Sequence, residues 1–255
     1  MRTALFISPH LDDAAFSCGG TLARLAAEGW HTVLATVFTR SVPNPTGFAL
    51  QCQLDKGLPD DVDYMALRRE EDRKFAARAG VHELVWLDHP EAPHRSYESA
   101  PALFGDVVPG DEIWSAVADD LERLVSRQEP GAVFAPQALG GHVDHHQVVR
   151  ATLKSVPPER TFWYRDLPYA IRNPDCRPSP LLPSGLVEAS IEISGFLEIK
   201  LAAAAAYATQ NGFQFGGKEA LRNSLSRFAE EEARRVRRTG AAEVFLRTAG
   251  VGPFP

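Results

Sequence analysis

Two short clusters hold the residue types that bind metals and move protons: His10-Leu11-Asp12-Asp13 and His142-Val143-Asp144-His145. His10 and Asp13 are three residues apart, as are His142 and His145, and one helical turn brings such a pair onto a common side. A catalytic zinc site takes about three protein ligands and keeps a position for water, whereas a closed structural site uses about four, usually with cysteines. Two histidines and a carboxylate fit the open kind. With His10, Asp13 and His145 on the metal, Asp12 stands beside the open position as a candidate general base. His142 is then a candidate oxyanion stabiliser, and Asp144 a candidate orienting carboxylate for a histidine's second nitrogen. Zinc is the expected ion and iron(II) the alternative.

The surrounding sequence says how these clusters are placed. Each lies where an apolar, β-branched run ends and a helical pattern begins, so both sit at the C-terminal ends of strands. The pattern predicts strands over 3–7, 31–38, 83–87, 132–135, 161–164, 186–193 and 243–246. It predicts helices beginning at Ser17 with that residue as cap, and over 64–79, 111–126, 143–154, 196–209 and 218–238. Alternating strands and helices indicate an α/β, Rossmann-like three-layer fold with a mainly parallel sheet, and residues 1–255 read as one domain. Two long connections, 39–63 and 88–110, leave C-terminal strand ends, where ligands bind and loops act as lids or specificity elements.

These motifs resemble the LmbE-like, or PIG-L, family of metal-dependent N-deacetylases. The family's Ala-His-Pro-Asp-Asp-Glu run is matched by Ser8-Pro9-His10-Leu11-Asp12-Asp13, followed by Ser17-Cys18-Gly19-Gly20. Its later His-x-Asp-His is matched by His142-Val143-Asp144-His145. The helix of Arg68, Glu70 and Glu71 and the segment Lys200 with Tyr207-Ala208-Thr209-Gln210 stand where the family has counterparts. The chain departs from the pattern at Leu11, Ala14 and Tyr207, none of which removes a ligand. The resemblance implies the same fold and hydrolysis of an N-acetyl group from an N-acetylglucosamine-type sugar or conjugate. It implies the same metal ligands, Asp12 as base, His142 as the electrophilic group, and Arg68 as a substrate contact. Asp88, at the end of the third strand, is a second candidate substrate contact.

Simpler explanations exist for several residues. Asp12 and Asp13 suit the start of any helix, and Arg68 is spaced to pair with Asp72 on a helix surface. Gly19 and Gly20 either let the backbone approach the site or ease a tight helix start. His31, His82 and His146 are expected to be structural, and His89 and His94 lie in a polar loop.

Composition narrows the function. A net charge of -6 and a pI near 5.8 disfavour nucleic acid. Arg234, Arg235, Arg237 and Arg238 follow three glutamates in a charge pattern expected of a solvated helix face. Three cysteines without CxxC spacing suggest neither disulfides nor a cysteine zinc site. No apolar run is long enough for a membrane span, so a cytoplasmic protein acting on a small amino-sugar is expected, with a homo-oligomer open. A facial-triad iron oxygenase, a two-metal phosphoesterase, a non-sugar amidase and a non-catalytic carbohydrate- or partner-binding protein are the competing readings.

Overall fold

The computed structural model describes residues 2–250. In chain order the elements are β1 (Thr3–Ser8), α1 (Asp13–Ala27), β2 (His31–Phe38), α2 (Gly47–Leu54), α3 (Tyr64–Ala79), β3 (Glu83–His89), α4 (Ala100–Leu103), α5 (Ile113–Gln128) and β4 (Ala132–Pro136). They continue with α6 (Val143–Ser155), β5 (Thr161–Tyr164), α7 (Tyr169–Arg172), β6 (Val187–Glu192), α8 (Leu197–Ala204), α9 (Ala208–Phe215), α10 (Lys218–Arg235) and β7 (Ala242–Arg247).

The seven strands form one sheet in the order β3-β2-β1-β4-β5-β7-β6. Strands β1 to β5 are parallel, while β7 runs antiparallel to both β5 and β6. Alternate residues of a strand point to opposite faces, so a sheet covered on both sides needs continuous apolar strands. Strand β1 meets this demand: Ala4 and Phe6 join one buried cluster, and Leu5 and Ile7 the other. On the first face Phe6 stacks on Phe134 with ring centroids 4.4 Å apart, and Phe134 reaches Phe162 and Phe245 at 5.3 Å each. Helices α1, α8 and α10 cover this face, and α5 and α6 cover the other.

The order makes β1 and β4 neighbours, with register Phe6↔Phe134, although about 125 residues separate them in the chain. The connections after them diverge to opposite faces, leaving a crevice beyond their C-terminal ends, the usual ligand position of such sheets. The two motifs follow these two strands.

The helix predicted over 111–126 lies at Ile113–Gln128 and the one over 218–238 ends at Arg235, while two others differ more. Helix α1 starts at Asp13 rather than Ser17, and Cys18 breaks its helical dihedrals with φ −134°. The Glu243 carboxylate on β7 accepts from the backbone N–H of Gly20 (3.0 Å) and Thr21 (2.7 Å), capping the second half of the helix from a remote strand. A Cβ on Gly20 would lie 2.6 Å from Ile193 Cδ1, so this glycine makes room for the β6–β7 side of the molecule, not for a ligand. The single helix predicted over 196–209 is two helices. Between them Tyr207 turns inward and donates its hydroxyl to Asp72 (2.6 Å), while Thr209 N and Oγ1 donate to Glu71 (2.8 and 2.7 Å). The predicted loops 39–63 and 88–110 carry α2 and α4.

Among the described residues no helix is long and apolar enough to cross a membrane, and the three cysteines are free.

Candidate active site and metal centre

The loop after β1 is shaped by its own side chains. Ser8 Oγ donates to the His10 carbonyl (2.6 Å) and accepts from Ala14 N (3.0 Å), and Asp13 Oδ2 accepts from His10 N (2.8 Å). Asp12 occupies the N-cap position of α1, yet its carboxylate makes no capping bond. It faces the cavity instead. After β4, Gly140 and Gly141 take left-handed φ values of +85° and +78°, and a Cβ at Gly140 would lie 2.7 Å from the Tyr169 ring. That turn delivers His142 as the N-cap of α6, with its Nδ1 accepting from Asp144 N (3.2 Å). The proton of a neutral His142 ring is thereby assigned to Nε2.

Two groups of ligating atoms lie within 4.8 Å of one another: His10, Asp13 and His145, and His10, His142 and Asp144. Their chemistry differs. Asp144 is already saturated, accepting from Arg95 (2.7 Å), Ala92 N (3.0 Å) and His10 Nε2 (2.9 Å), and a cation there would meet the Arg95 guanidinium. In the first group Asp13 Oδ2 lies 3.1 Å from His10 Nδ1 and 3.2 Å from His145 Nε2. His145 Nε2 is buried and not aligned for a hydrogen bond with any neighbour. Its Nδ1 is held by Asp166 Oδ1 at 2.6 Å, as His10 Nε2 is held by Asp144. Carboxylates behind imidazoles fix their tautomer and raise their basicity, as behind metal-bound histidines. The first group therefore fits a divalent ion, and the second does not.

Electrostatics agree. Burial alone would depress both imidazoles, but Asp13 and Asp166 hold His145 up at about 9, and Asp13 and Asp144 hold His10 well above its ordinary value. Positive charge is favoured at this point. Burial pushes Asp12 to about 6, with Arg68 opposing and Asp13 adding to the rise. Burial drops His142 to about 3, leaving a neutral ring at pH 7.

Arg68 is buried rather than on a helix surface. It bridges Glu91 (2.6 Å) and Asp12 (3.3 Å), while Asp72 takes Trp86 Nε1 (2.8 Å) and Tyr207, so the spacing-based Arg68–Asp72 pair does not form. Asp88 does not join the site: its side chain is exposed and pairs with Arg40 at 3.3 Å. His89 bonds Asp120 (2.8 Å), His146 bonds Ser179 (2.9 Å) and His82 bonds Thr32 (2.9 Å). Sequence reasoning missed Asp166, Glu91 and Arg95. Asp166 had a signal, being an acidic residue just past the end of β5, the same place that the two motifs occupy after β1 and β4.

A family profile described as PIG-L, GlcNAc-PI de-N-acetylase, matches residues 5–156 and so spans both motifs. The chain belongs to the PIG-L family. Within it, a 2'-N-acetylparomamine deacetylase of Streptomyces fradiae is 34% identical over 211 residues, 81% of this chain and 72% of that protein. A 1D-myo-inositol 2-acetamido-2-deoxy-alpha-D-glucopyranoside deacetylase of Saccharomonospora viridis is 26% identical over 233 residues, covering 81% and 84%. Among solved structures, the zinc-inhibited form of a teicoplanin deacetylase superposes with a TM-score of 0.82 at 25% identity, covering 97% of this chain and 99% of that one. This PIG-L chain is a hydrolytic N-deacetylase with an α/β fold like theirs.

Proposed function

We propose that this protein removes the acetyl group from the 2-acetamido substituent of an N-acetylglucosamine-type sugar or conjugate, releasing acetate and a free amine. His10, Asp13 and His145 hold one divalent ion, zinc or iron(II). When bound, such an ion supplies Lewis acidity toward water and the amide carbonyl. The observation that carries the reading is the pair of histidines, each braced from behind by a carboxylate, presenting Nδ1 of His10 and Nε2 of His145 to the same oxygen of Asp13 at 3.1 and 3.2 Å.

The chain's own residues divide the work. Asp12, outside the ligand set, accepts a proton from the attacking water and returns it to the departing nitrogen. Arg68 and Glu91 hold Asp12 in place. His142, neutral and with its Nε2 proton free of the backbone contact at Nδ1, donates to the carbonyl oxygen as negative charge builds there. The names of the relatives support an amino-sugar amide as substrate.

The test is metal analysis of the purified protein together with acetate release from N-acetylglucosamine glycosides. About one zinc or iron per chain and acetate release abolished by a chelator are expected. A metal-loaded protein that releases no acetate from any N-acetylglucosamine glycoside would overturn the substrate assignment.

A further inference from the structure

A cavity of about 260 Å³ opens outward from the candidate metal site. Its inner end holds Asp12 and His142; its outer walls come from the two long connections and from α7 and α9. Two residues of this mouth stand out. Phe104 is 48% exposed and Phe213 is 55% exposed, and among the described residues they are the only aromatic side chains on the exposed surface. Both line this one cavity. Exposed aliphatic residues are scattered over a normal surface, but two bare phenyl rings at the mouth of a catalytic cavity call for an occupant.

The two rings come from distant elements. Phe104, just past α4, sets its ring edge-on to His142 (5.3 Å) and to Tyr169 (5.9 Å), which fixes it next to the proposed oxyanion donor. Phe213 is on α9, with the Lys56 ammonium 4.9 Å from its ring centre. Lys56 also lies 5.3 Å from the centre of the Tyr64 ring and donates to the Cys52 carbonyl (2.7 Å). Among the described residues no carboxylate lies within ion-pairing distance of it. Besides Lys56, the cavity wall here carries Arg172, Asp55 and Glu91, and the Glu91 carboxylate is already engaged by Arg68 at 2.6 Å.

We propose that this mouth is the subsite for the group joined to the amino sugar, and that it selects an aryl or similarly flat, neutral or acidic ring over an amine-rich one. The phenyl rings offer stacking and edge contacts to a flat ring face. Lys56 offers a fixed donor to an acceptor oxygen on that ring and repels an ammonium there. The inference rests on the reading that a 2-acetamido sugar occupies the inner end.

The experiment compares the metal-loaded enzyme on methyl, phenyl, 4-carboxyphenyl and 4-(aminomethyl)phenyl N-acetylglucosaminides, with kcat/KM read from acetate release. The phenyl glycoside is expected to exceed the methyl glycoside by about tenfold, the carboxyphenyl compound to equal or exceed phenyl, and the aminomethyl compound to fall below it. In Phe104→Ala and Phe213→Ala the phenyl-to-methyl ratio collapses toward one, and in Lys56→Met the acidic and basic rings become equivalent. Equal kcat/KM for all four in the wild type, or ratios unmoved in these variants, overturns the proposal. Calorimetric binding of the corresponding deacetylated phenyl and methyl glucosaminides reads the subsite without turnover. A phenyl preference in binding with no acetate released from any glycoside would sink the amide substrate while upholding the mouth; equal binding would sink the mouth itself.

Discussion

Asp166 Oδ1 lies 2.6 Å from His145 Nδ1, a contact between two fully buried side chains, one just past the end of β5 and the other in the first turn of α6. It fixes which nitrogen of His145 turns toward Asp13. Asp166→Asn keeps the size of the side chain and its contact with Leu139 N, but removes the negative charge behind the ring. Metal affinity is expected to fall about 10- to 100-fold, the usual cost of losing such a partner. Competition against a chromophoric chelator measures it; wild-type affinity in this variant would refute the role of Asp166.

His145→Ala removes a proposed ligand outright. The variant is expected to purify with far less than one metal per chain, and activity should not return at metal concentrations that saturate the wild type. Unchanged metal content by elemental analysis would exclude His145 as a ligand.

Asp12→Asn separates base from ligand. Metal content should be retained while kcat falls by about 10²- to 10⁴-fold, the range associated with a positioned proton acceptor. The pH profile adds a sign. Asp12 acts as base only when deprotonated, so kcat/KM falls with acid as its carboxyl is protonated. Burial places that event near 6, and an ion bound beside it draws the limb lower. An acid limb persisting at the same pH in Asp12→Asn would assign it to another group.

How much of this was legible in the sequence depends on whether the determining contact is local. Strands 31–38 and 161–164 and helix 64–79 were read to the residue, because their apolar pattern and the Gly80 stop lie within the segment itself. The convergence of His10 with His145 was legible from strand ends alone. The start of α1 was not, because the cap on Gly20 and Thr21 comes from Glu243, more than 220 residues away. Nor was the break before α9, where an alanine run of high helix propensity yields to the bonds of Tyr207 and Thr209 with α3. Arg68 misled for the same reason: its helical neighbour Asp72 is committed to Trp86 and Tyr207, and its real partners lie outside the helix.

Asp72 itself provides a test of stability against pH. Its carboxyl is fully buried, and burial outweighs the bonds from Trp86 and Tyr207 to push its pKa from 3.8 to about 6. The folded protein therefore binds this proton more tightly than the unfolded chain does. Stability relative to Asp72→Asn is highest below about pH 4, falls between pH 4 and 6, and is flat above. The span is on the order of 3 kcal/mol. Urea unfolding of both proteins from pH 4.5 to 8 measures the difference, and a constant difference across that window would show that Asp72 stays ionised throughout.

Phe134 tests the layer that holds the two motifs together. It is wholly buried on β4 and touches Phe6 on β1, Phe162 on β5 and Phe245 on β7. Removing its ring leaves a cavity between four strands whose positions are fixed by backbone ladders, so the surroundings can close only partly. Phe134→Ala is expected to cost about 3–5 kcal/mol, read as a lower urea midpoint with little change in slope. Phe134→Leu fills most of the space and should cost well under half as much. Because β1 and β4 carry the ligand loops, the alanine variant should also bind metal more weakly than the leucine variant under conditions where both are folded. Equal metal affinity in the two would mean that the loops are held by their own hydrogen bonds, Ser8 with Ala14 and Asp13 with His10, independently of the aromatic layer beneath them.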